Sequence, residues 1–319
     1  MMENNRIIYC ENLPQNLDML YSQRQLYSDA KTLLGIEIFI TVILSIALSL
    51  VSNFFSNNIA AALSCSQDLI KSIVILISIL ISILDLTLIN NYLNNYRKTA
   101  ASIQDSFDCS VLSIDFNQIK ISAPDSETIC KYAKKFLSKS SEKHIEYMNN
   151  WYYSSKLSNI PLPFAIIMCQ RTNCWWDGCL RKKFIKFINT ISSVVFIFIL
   201  VISLINELSL VSFFVNAFAP FLCLLTFTIR QNIQNKTSVA NSEKLKNHCD
   251  TLWHRCLTTK DINENQLKDL SRKLQDELYQ HRSTSPLIFD WFYDKYKKDQ
   301  ETQTNYTLDK MIDEFIFLN

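Results

Sequence analysis

Two pairs of long apolar runs constrain this chain more than any other feature of its sequence. The first pair lies within 33–91, and the second pair covers 187–206 and 210–229. Each run has about twenty residues, and a helix of that length, rising ~1.5 Å per residue, crosses the ~30 Å hydrocarbon core of a bilayer. The sequence therefore predicts four membrane-spanning helices arranged as two hairpins.

The distribution of basic residues predicts how these helices are oriented. All but one of the 32 Lys and Arg residues lie in 1–32, 90–187 and 230–319, and the exception, Lys71, lies inside the second run. Loops on the cytoplasmic side of a membrane carry the excess of basic residues. We therefore expect a multi-pass protein with both termini and the central segment in the cytoplasm.

The apolar runs divide the chain into five segments. The expected order is an N-terminal cytoplasmic helix at 1–32, a transmembrane hairpin at 33–91, a central cytoplasmic segment at 92–186, a second transmembrane hairpin at 187–229 and a C-terminal cytoplasmic helical segment at 230–319. The predicted fold class is a mostly α-helical membrane protein. Its cytoplasmic domain, formed by the central segment and the C-terminal tail, is expected to be helical with minor β structure.

The central segment contains both the expected strand and an expected helix. The sequence CSVLSIDFNQIKIS at 109–122 is rich in β-branched residues and partly alternating, which predicts a short strand. Asp125 or Ser126 can cap a following helix, on which Ala133 and Phe136 share one face. Because the opposite face is rich in lysine, we expect the apolar face to pack on another cytoplasmic element.

Polar residues at helical spacing interrupt the first two apolar runs. The first stripe consists of Glu37, Thr41, Ser45 and Ser49. The second stripe consists of Lys71, Ser78, Ser82 and Asp85. Ionisable residues inside a span are costly and usually functional, which supports the hypothesis that both stripes line a pore. The alternative is that small hydroxyl residues let membrane helices pack closely, and the residues alone leave both interpretations open.

Composition and motif content argue against several function classes. A formal charge of +2 does not favour a strongly basic nucleic-acid-binding protein, and two glycines exclude glycine-rich phosphate loops. The four histidines lie far apart, without an HExxH motif or a pair of carboxylates for acid–base chemistry. We therefore predict no enzymatic activity and assign no catalytic residue, metal ligand or cofactor.

The stretch CQRTNCWWD at 169–177 has the most site-like chemistry in the chain. Arginine offers phosphate a planar fork of donors, and tryptophan offers a base a stacking face. The candidate ligand-binding residues are Gln170, Arg171, Trp175, Trp176, Asp177 and Arg181. The alternative is an interfacial belt beside the third span, with Arg181, Lys182 and Lys183 on anionic headgroups. The residues alone favour the belt.

Four stretches resemble, in order, the SMODS-associating four-transmembrane effector family. They are PQNLDMLYSQRQLYSDAK at 14–31, IQDSFDCSVLSIDFNQIKI at 103–121, IPLPFAIIMCQRTNCWWDGCLRKKF at 160–184 and SPLIFDWFYDKY at 285–296. The chain departs from the family pattern at Phe116-Asn117, where a Trp-Asn pair is usual. The blocks QRTNCWWD and SPLIFDWFY are the most specific of these similarities.

The resemblance implies a function that composition alone does not indicate. It implies an effector of bacterial anti-phage defence that senses a cyclic di- or trinucleotide in the cytoplasm. Binding of this activating ligand would permeabilise the inner membrane and cause abortive infection. The expected partners are the lipid bilayer, the nucleotide and further copies of the chain, because four helices are too few to enclose a water-filled pore.

Two other function classes remain open at this stage. One is an ion channel or small transporter that needs no ligand. The other is a membrane scaffold that recruits a soluble partner through 286–298 and 307–318.

Overall fold

The computed structural model describes residues 6–50, 56–84, 89–152, 155–205, 207, 209–214, 218–258 and 263–318. In chain order the helices are α1 (Ile7–Glu11), α2 (Pro14–Ile38), α3 (Ser45–Leu50), α4 (Ser56–Ala62), α5 (Gln67–Leu84), α6 (Asn90–Leu112), α7 (Ser126–Lys139), α8 (Glu142–Glu146), α9 (Leu162–Ile205), α10 (Leu210–Phe213), α11 (Ala219–Thr258), α12 (Glu264–Thr284) and α13 (Asp290–Leu318). A π-helix, Phe39–Leu44, follows α2, and a 3₁₀ helix, Ser155–Asn159, precedes α9. The described residues contain no strand, so the prediction of a mostly α-helical fold is confirmed.

The chain divides into two compact units. Unit 1 combines Met1–Ala30, Asn95–Lys182 and Lys236–Asn319. Unit 2 combines Lys31–Asn94 and Lys183–Asn235. The long helices α9 and α11 therefore supply residues to both units.

The core of unit 1 surrounds the first turns of α9. Ile166 and Met168 of α9 are almost completely buried, and they belong to one cluster with Phe107 of α6 and Ile312 of α13. This part of α9 is apolar on most of its circumference, which is typical of a helix covered on all sides. Burying each such side chain stabilises the fold by about 1.5–3 kcal/mol. The buried first turns of α9 therefore contribute strongly to the stability of unit 1.

Helix α7 begins and packs as its sequence predicts. Asp125 is the N-cap residue, and its Oδ1 accepts a hydrogen bond from the backbone N–H of Thr128 at 2.6 Å. The apolar face packs inward, where Phe136 stacks on Tyr21 of α2 with ring centroids 5.3 Å apart. The apolar face of α7 thus attaches this helix to the N-terminal helix.

The prediction of a short strand at 109–122 was wrong. Cys109 to Leu112 form the last turn of α6, and Ser113 ends the helix with a positive φ of 54°. The N–H of Ile114 bonds the carbonyl of Cys109 at 3.0 Å, the signature of a Schellman cap. Asn117 then nucleates a turn, because its side-chain oxygen accepts hydrogen bonds from two following N–H groups. These side-chain and cap bonds replace strand pairing.

The C-terminal helix α13 contributes to the core of unit 1. Leu308 and Ile312 are buried, and the ring of Phe315 lies 4.8 Å from that of Phe164 and 6.0 Å from that of Trp253. The apolar face formed by Leu308, Ile312 and Phe315 therefore packs inside unit 1.

Helices that continue from unit 1 into unit 2 are long and apolar enough to cross a membrane. By length and composition two described helices qualify, Pro14–Leu48 and Leu162–Ile205. Only 17% of the most apolar window in each helix is buried, which does not fit the core helix of a globular domain. Apolar side chains such as Ile75, Phe198 and Leu204 are largely exposed. Extended exposed apolar surface of this kind marks contact with a membrane or a partner.

Candidate ligand-binding site

Part of the CQRTNCWWD stretch holds unit 1 together. Gln170 is fully buried on α9, and its Nε2 donates to the Ser271 carbonyl at 2.9 Å and to Gln275 Oε1 at 3.1 Å. Gln275 of α12 in turn donates to Asp105 at 2.9 Å and to Asp108 at 3.0 Å on α6. Gln170 therefore belongs to an internal network that joins three helices.

Arg171 is paired with an acidic residue of α11. Its Nε donates to Asp250, which also accepts a hydrogen bond from Lys246. Burial would raise the pKa of Asp250, but the hydrogen bonds from Lys246 and Arg171 outweigh burial and lower that pKa. The Asp250 carboxylate is therefore ionised at neutral pH and holds both cations.

The two neighbouring tryptophans have different surroundings. Trp176 faces α13, where its ring lies 6.0 Å from that of Tyr293, and its carbonyl accepts from Gln300 at 3.0 Å. Trp175 instead lines an open cleft between α9 and α11. Successive residues of a helix point about 100° apart, which explains why adjacent tryptophans reach different environments.

Asp177 and Arg181 lie in a second internal cluster. Arg181 is buried; it donates to Asp177 Oδ2 at 2.7 Å and to the Pro286 carbonyl at 2.8 Å. His281 Nε2 lies 2.7 Å from the same carboxylate oxygen, and Ser242 Oγ donates to it at 3.0 Å. Burial would raise the pKa of Asp177, but the charge of Arg181 and the hydrogen bond with His281 outweigh it and hold that pKa well below its usual range. Because Arg181 is buried, it does not contact lipid headgroups as the belt interpretation expects.

The same cluster contains a serine, a histidine and an aspartate, but not in catalytic order. In a hydrolase triad the acid binds one imidazole nitrogen and the nucleophile binds the other. Here Ser242 Oγ, at 3.1 Å, and Asp177 both approach Nε2 of His281, while Nδ1 faces Ser285 Oγ at 3.3 Å. This arrangement cannot relay a proton from serine through histidine to aspartate, and it joins α9, α11 and α12 instead.

The cleft beside Trp175, here called the α9–α11 cleft, has a volume of about 420 Å³. Its lining residues are Cys174, Trp175, Gly178, Cys179, Lys182, Ser242, Glu243, Lys246 and Asn247. Ligand sites typically occupy about 300–1,000 Å³ and present a few polar groups. Lys182 forms a salt bridge with Glu243 between α9 and α11, and the side chains of both are about half exposed.

A second cleft, of about 510 Å³, lies between α11 and α12. Its lining residues are Asn241, Lys244, Leu245, Asn247, His248, Thr251, Glu277, Gln280, His281 and Thr284. No tryptophan, tyrosine or phenylalanine contributes to this lining. It therefore offers hydrogen-bonding groups but no large aromatic face for a planar ligand.

Of the six sequence-predicted ligand-binding residues, the structure thus places Trp175 in the α9–α11 cleft and gives the other five partners within unit 1. Sequence reasoning missed Lys246, Ser242 and Glu243 of α11. One signal for this contact was available: Gly178 lies mid-helix, where glycine costs ~1 kcal/mol relative to alanine. A Cβ added at Gly178 would lie 3.4 Å from Ser242 Cβ, an ordinary van der Waals contact, so Gly178 faces α11 although an alanine would also fit there.

The first polar stripe of unit 2 lies partly within the described residues. Glu37 is buried and accepts from Arg230 Nη2 at 2.9 Å, and Thr41 Oγ1 donates to the Glu37 carbonyl at 2.7 Å. Ser45 begins α3 and is partly buried. Glu37 thus pairs with α11, at the residue directly after the predicted fourth span.

The other stripe residues are described less fully. Ser49, Lys71, Ser78 and Ser82 are helical, and their side chains lie outside the described set; Asp85 lies outside the described residues altogether. The pore-lining hypothesis therefore stays a prediction.

A family model covers nearly the whole chain. The model for the SMODS-associating 4TM effector domain matches residues 5–311. The chain belongs to this family. No curated protein and no solved structure gave a significant match.

Family membership and the two apolar helices indicate a membrane protein associated with SMODS-type cyclic-oligonucleotide signalling. The resemblance stated from sequence motifs is thereby confirmed. Among the described residues no three His, Cys, Asp or Glu side chains are grouped so as to hold a metal ion.

Proposed function

We propose that the protein is a four-span membrane effector that binds a cyclic di- or trinucleotide in the cytoplasm and then permeabilises the inner membrane. The observation that carries the proposal is the family match over 5–311. The two compact units supply the parts such a function requires. Unit 1 has a core of its own and ligand-sized clefts, and unit 2 exposes apolar side chains.

The helix connectivity supports a link between binding and permeation. α9 and α11 line the α9–α11 cleft in unit 1 and also supply residues to unit 2. A ligand that binds better when these helices adopt their open arrangement would shift the population toward that arrangement. Moving a two-state gate from about 1:99 to 99:1 takes roughly 5.5 kcal/mol of differential affinity, which several subunits with one nucleotide each would share. A homo-oligomer is part of the proposal because four helices are too few to enclose a water-filled pore.

Dye release from liposomes tests the proposed function directly. The purified protein is reconstituted into vesicles loaded with a self-quenching dye, and cyclic di-AMP, cyclic di-GMP, cyclic GMP–AMP and cyclic tri-AMP are added in turn. We expect release with at least one nucleotide and none with the corresponding linear mononucleotides. Empty vesicles receiving the same nucleotides are the control.

The same assay separates the alternatives. Release that requires no nucleotide would favour a constitutive channel or transporter. No release under any condition, together with stable co-purification of a soluble protein, would favour a scaffold. Of the two segments expected to recruit a partner in the scaffold alternative, 307–318 has Leu308 and Ile312 buried in unit 1 but Ile316 and Phe317 exposed. Trp291, in 286–298, is also exposed, so the binding and release assays decide this alternative.

A further inference from the structure

The α9–α11 cleft combines chemical features that the second cleft does not combine. It has an aromatic face in Trp175, and its lining carries two lysines, Lys182 and Lys246, against one carboxylate, Glu243. Aromatic faces bind bases by stacking, and ammonium groups bind phosphate oxygens. The second cleft has no Trp, Tyr or Phe in its lining.

We propose that the α9–α11 cleft is the site at which the activating cyclic nucleotide binds, with Trp175 stacking on a base and with Lys182 and Lys246 contacting phosphate oxygens. This inference rests on the proposed function and adds the location of the site and the residues that recognise the ligand. Its volume of about 420 Å³ falls within the usual range for small-molecule sites.

Carboxylates that are already paired with the two lysines compete with the ligand phosphate for them. Without ligand, Lys182 is paired with Glu243, and Lys246 is paired with Asp250. The Lys182–Glu243 pair is about half exposed, and exposed pairs contribute only ~0–1 kcal/mol, so a phosphate can replace Glu243 at small cost. Glu243 is then left facing an anionic ligand, and it lowers the affinity.

This competition predicts that removing the charge of Glu243 and removing the charge of Lys182 change the nucleotide affinity in opposite directions. Replacing Glu243 by glutamine removes both the competing partner and the repulsion, so Glu243→Gln should bind the nucleotide about two- to fivefold more tightly. Lys182→Met should weaken binding roughly ten- to hundredfold through loss of a charge-assisted hydrogen bond. Trp175→Ala should weaken it about tenfold or more, with Trp175→Tyr partly restoring stacking.

Lys244→Met is the matched control, because Lys244 is on α11, next to Glu243, but lines the second cleft. It makes the same charge change as Lys182→Met and should leave the affinity within about twofold of the wild type. Thermal unfolding of each variant in detergent checks that the fold is retained. The exposed positions of Lys182 and Glu243 favour that outcome.

The experiment is equilibrium binding of radiolabelled cyclic di-AMP, cyclic di-GMP, cyclic GMP–AMP and cyclic tri-AMP to the full-length protein in uncharged detergent. If the wild-type protein binds none of them, the proposed function and this inference are both overturned. If the wild type binds one but Lys182→Met and Trp175→Ala bind it equally well, the proposed function stands and the cleft assignment is overturned. Opposite shifts for Lys182→Met and Glu243→Gln, with Lys244→Met unchanged, support the assignment.

A lipid arm distinguishes nucleotide phosphate from headgroup phosphate, since both offer the same chemistry to lysine. Dihexanoyl phosphatidylglycerol is titrated as a soluble competitor against the bound nucleotide. We expect nucleotide to be retained at lipid concentrations well above its own dissociation constant. Saturable lipid binding that requires Lys182, together with nucleotide binding that does not, would assign the cleft to headgroups and refute the proposal.

Discussion

Asp108 offers the sharpest test of how unit 1 is held together. Its side chain is fully buried, and it accepts hydrogen bonds from Arg282 Nη1 at 2.6 Å, Tyr152 Oη at 2.8 Å and Gln275 Nε2 at 3.0 Å. Burial alone would lower the pKa of Arg282, but the Asp108 carboxylate outweighs burial and raises that pKa. Asp108→Ala therefore leaves a buried guanidinium without its counter-ion.

The expected cost follows from that uncompensated charge. Removing one partner of a buried, hydrogen-bonded ion pair costs about 3–5 kcal/mol. For a unit of this size each kcal/mol shifts the melting temperature by about 2–4 °C, so the expected drop is about 6–20 °C. Asp115→Ala is the matched control, since Asp115 is exposed, and its expected effect is within about 0.5 kcal/mol.

Thermal unfolding in detergent measures the effect, and a double-variant cycle isolates the pair. Arg282→Met in the Asp108→Ala background removes the unpaired charge, so the double variant should be more stable than the sum of the single losses predicts. A drop of less than about 2 °C for Asp108→Ala would refute the reasoning, as would strictly additive losses.

Three further predictions follow from other contacts. Burial raises the pKa of Glu11 to about 7, although a hydrogen bond from the Tyr152 N–H opposes the shift. The contribution of Glu11 to the stability of the fold is therefore fully present below about pH 4.5 and is lost as the pH rises through about 7. Glu11→Gln should therefore increase the free energy of unfolding at pH 8 by about 3 kcal/mol, seen as a higher melting temperature, and change it little at pH 4.5. Equal shifts in melting temperature at both pH values would contradict this. Glu37→Gln breaks the pair with Arg230 and should raise nucleotide-independent dye release several-fold, whereas the exchanged pair Glu37→Arg with Arg230→Glu should restore the basal level. Replacing the four stripe serines by leucine should abolish nucleotide-triggered dye release without loss of expression; these are Ser45, Ser49, Ser78 and Ser82. Unchanged release would refute the hypothesis that the two stripes line a pore.

Local sequence signals predicted most of the helical structure because their physical basis is local. The capping of α7 by Asp125 and the helical course of the first apolar run depend on residues three or four positions apart. The same local reasoning failed at 109–122, where β-branched residues suggested a strand. There the helix cap at Ser113 and the side-chain turn at Asn117 outweigh weak β-propensity, which acts only when a partner strand is present.

The roles of the motif residues could not be predicted, since their partners are distant in sequence. Gln275 lies 170 positions from Asp105, and His281 lies 104 positions from Asp177. The chemistry of Arg181 suggested a ligand or a headgroup, yet the fold gives it the carbonyl of Pro286. Neither periodicity nor composition encodes such a pairing.

The sequence by itself determined that the chain is helical, that it carries long apolar runs and that it belongs to an effector family. These properties follow from the length of apolar runs and from recurring blocks, and both can be read along the chain. Only the tertiary structure decided that Trp175 lines a cleft while Trp176 packs on Tyr293, and that Lys182 and Lys246 border the same cleft. The physical reason is that a helix directs adjacent side chains about 100° apart, and packing against α11 and α13 decides which of them stays open to a ligand.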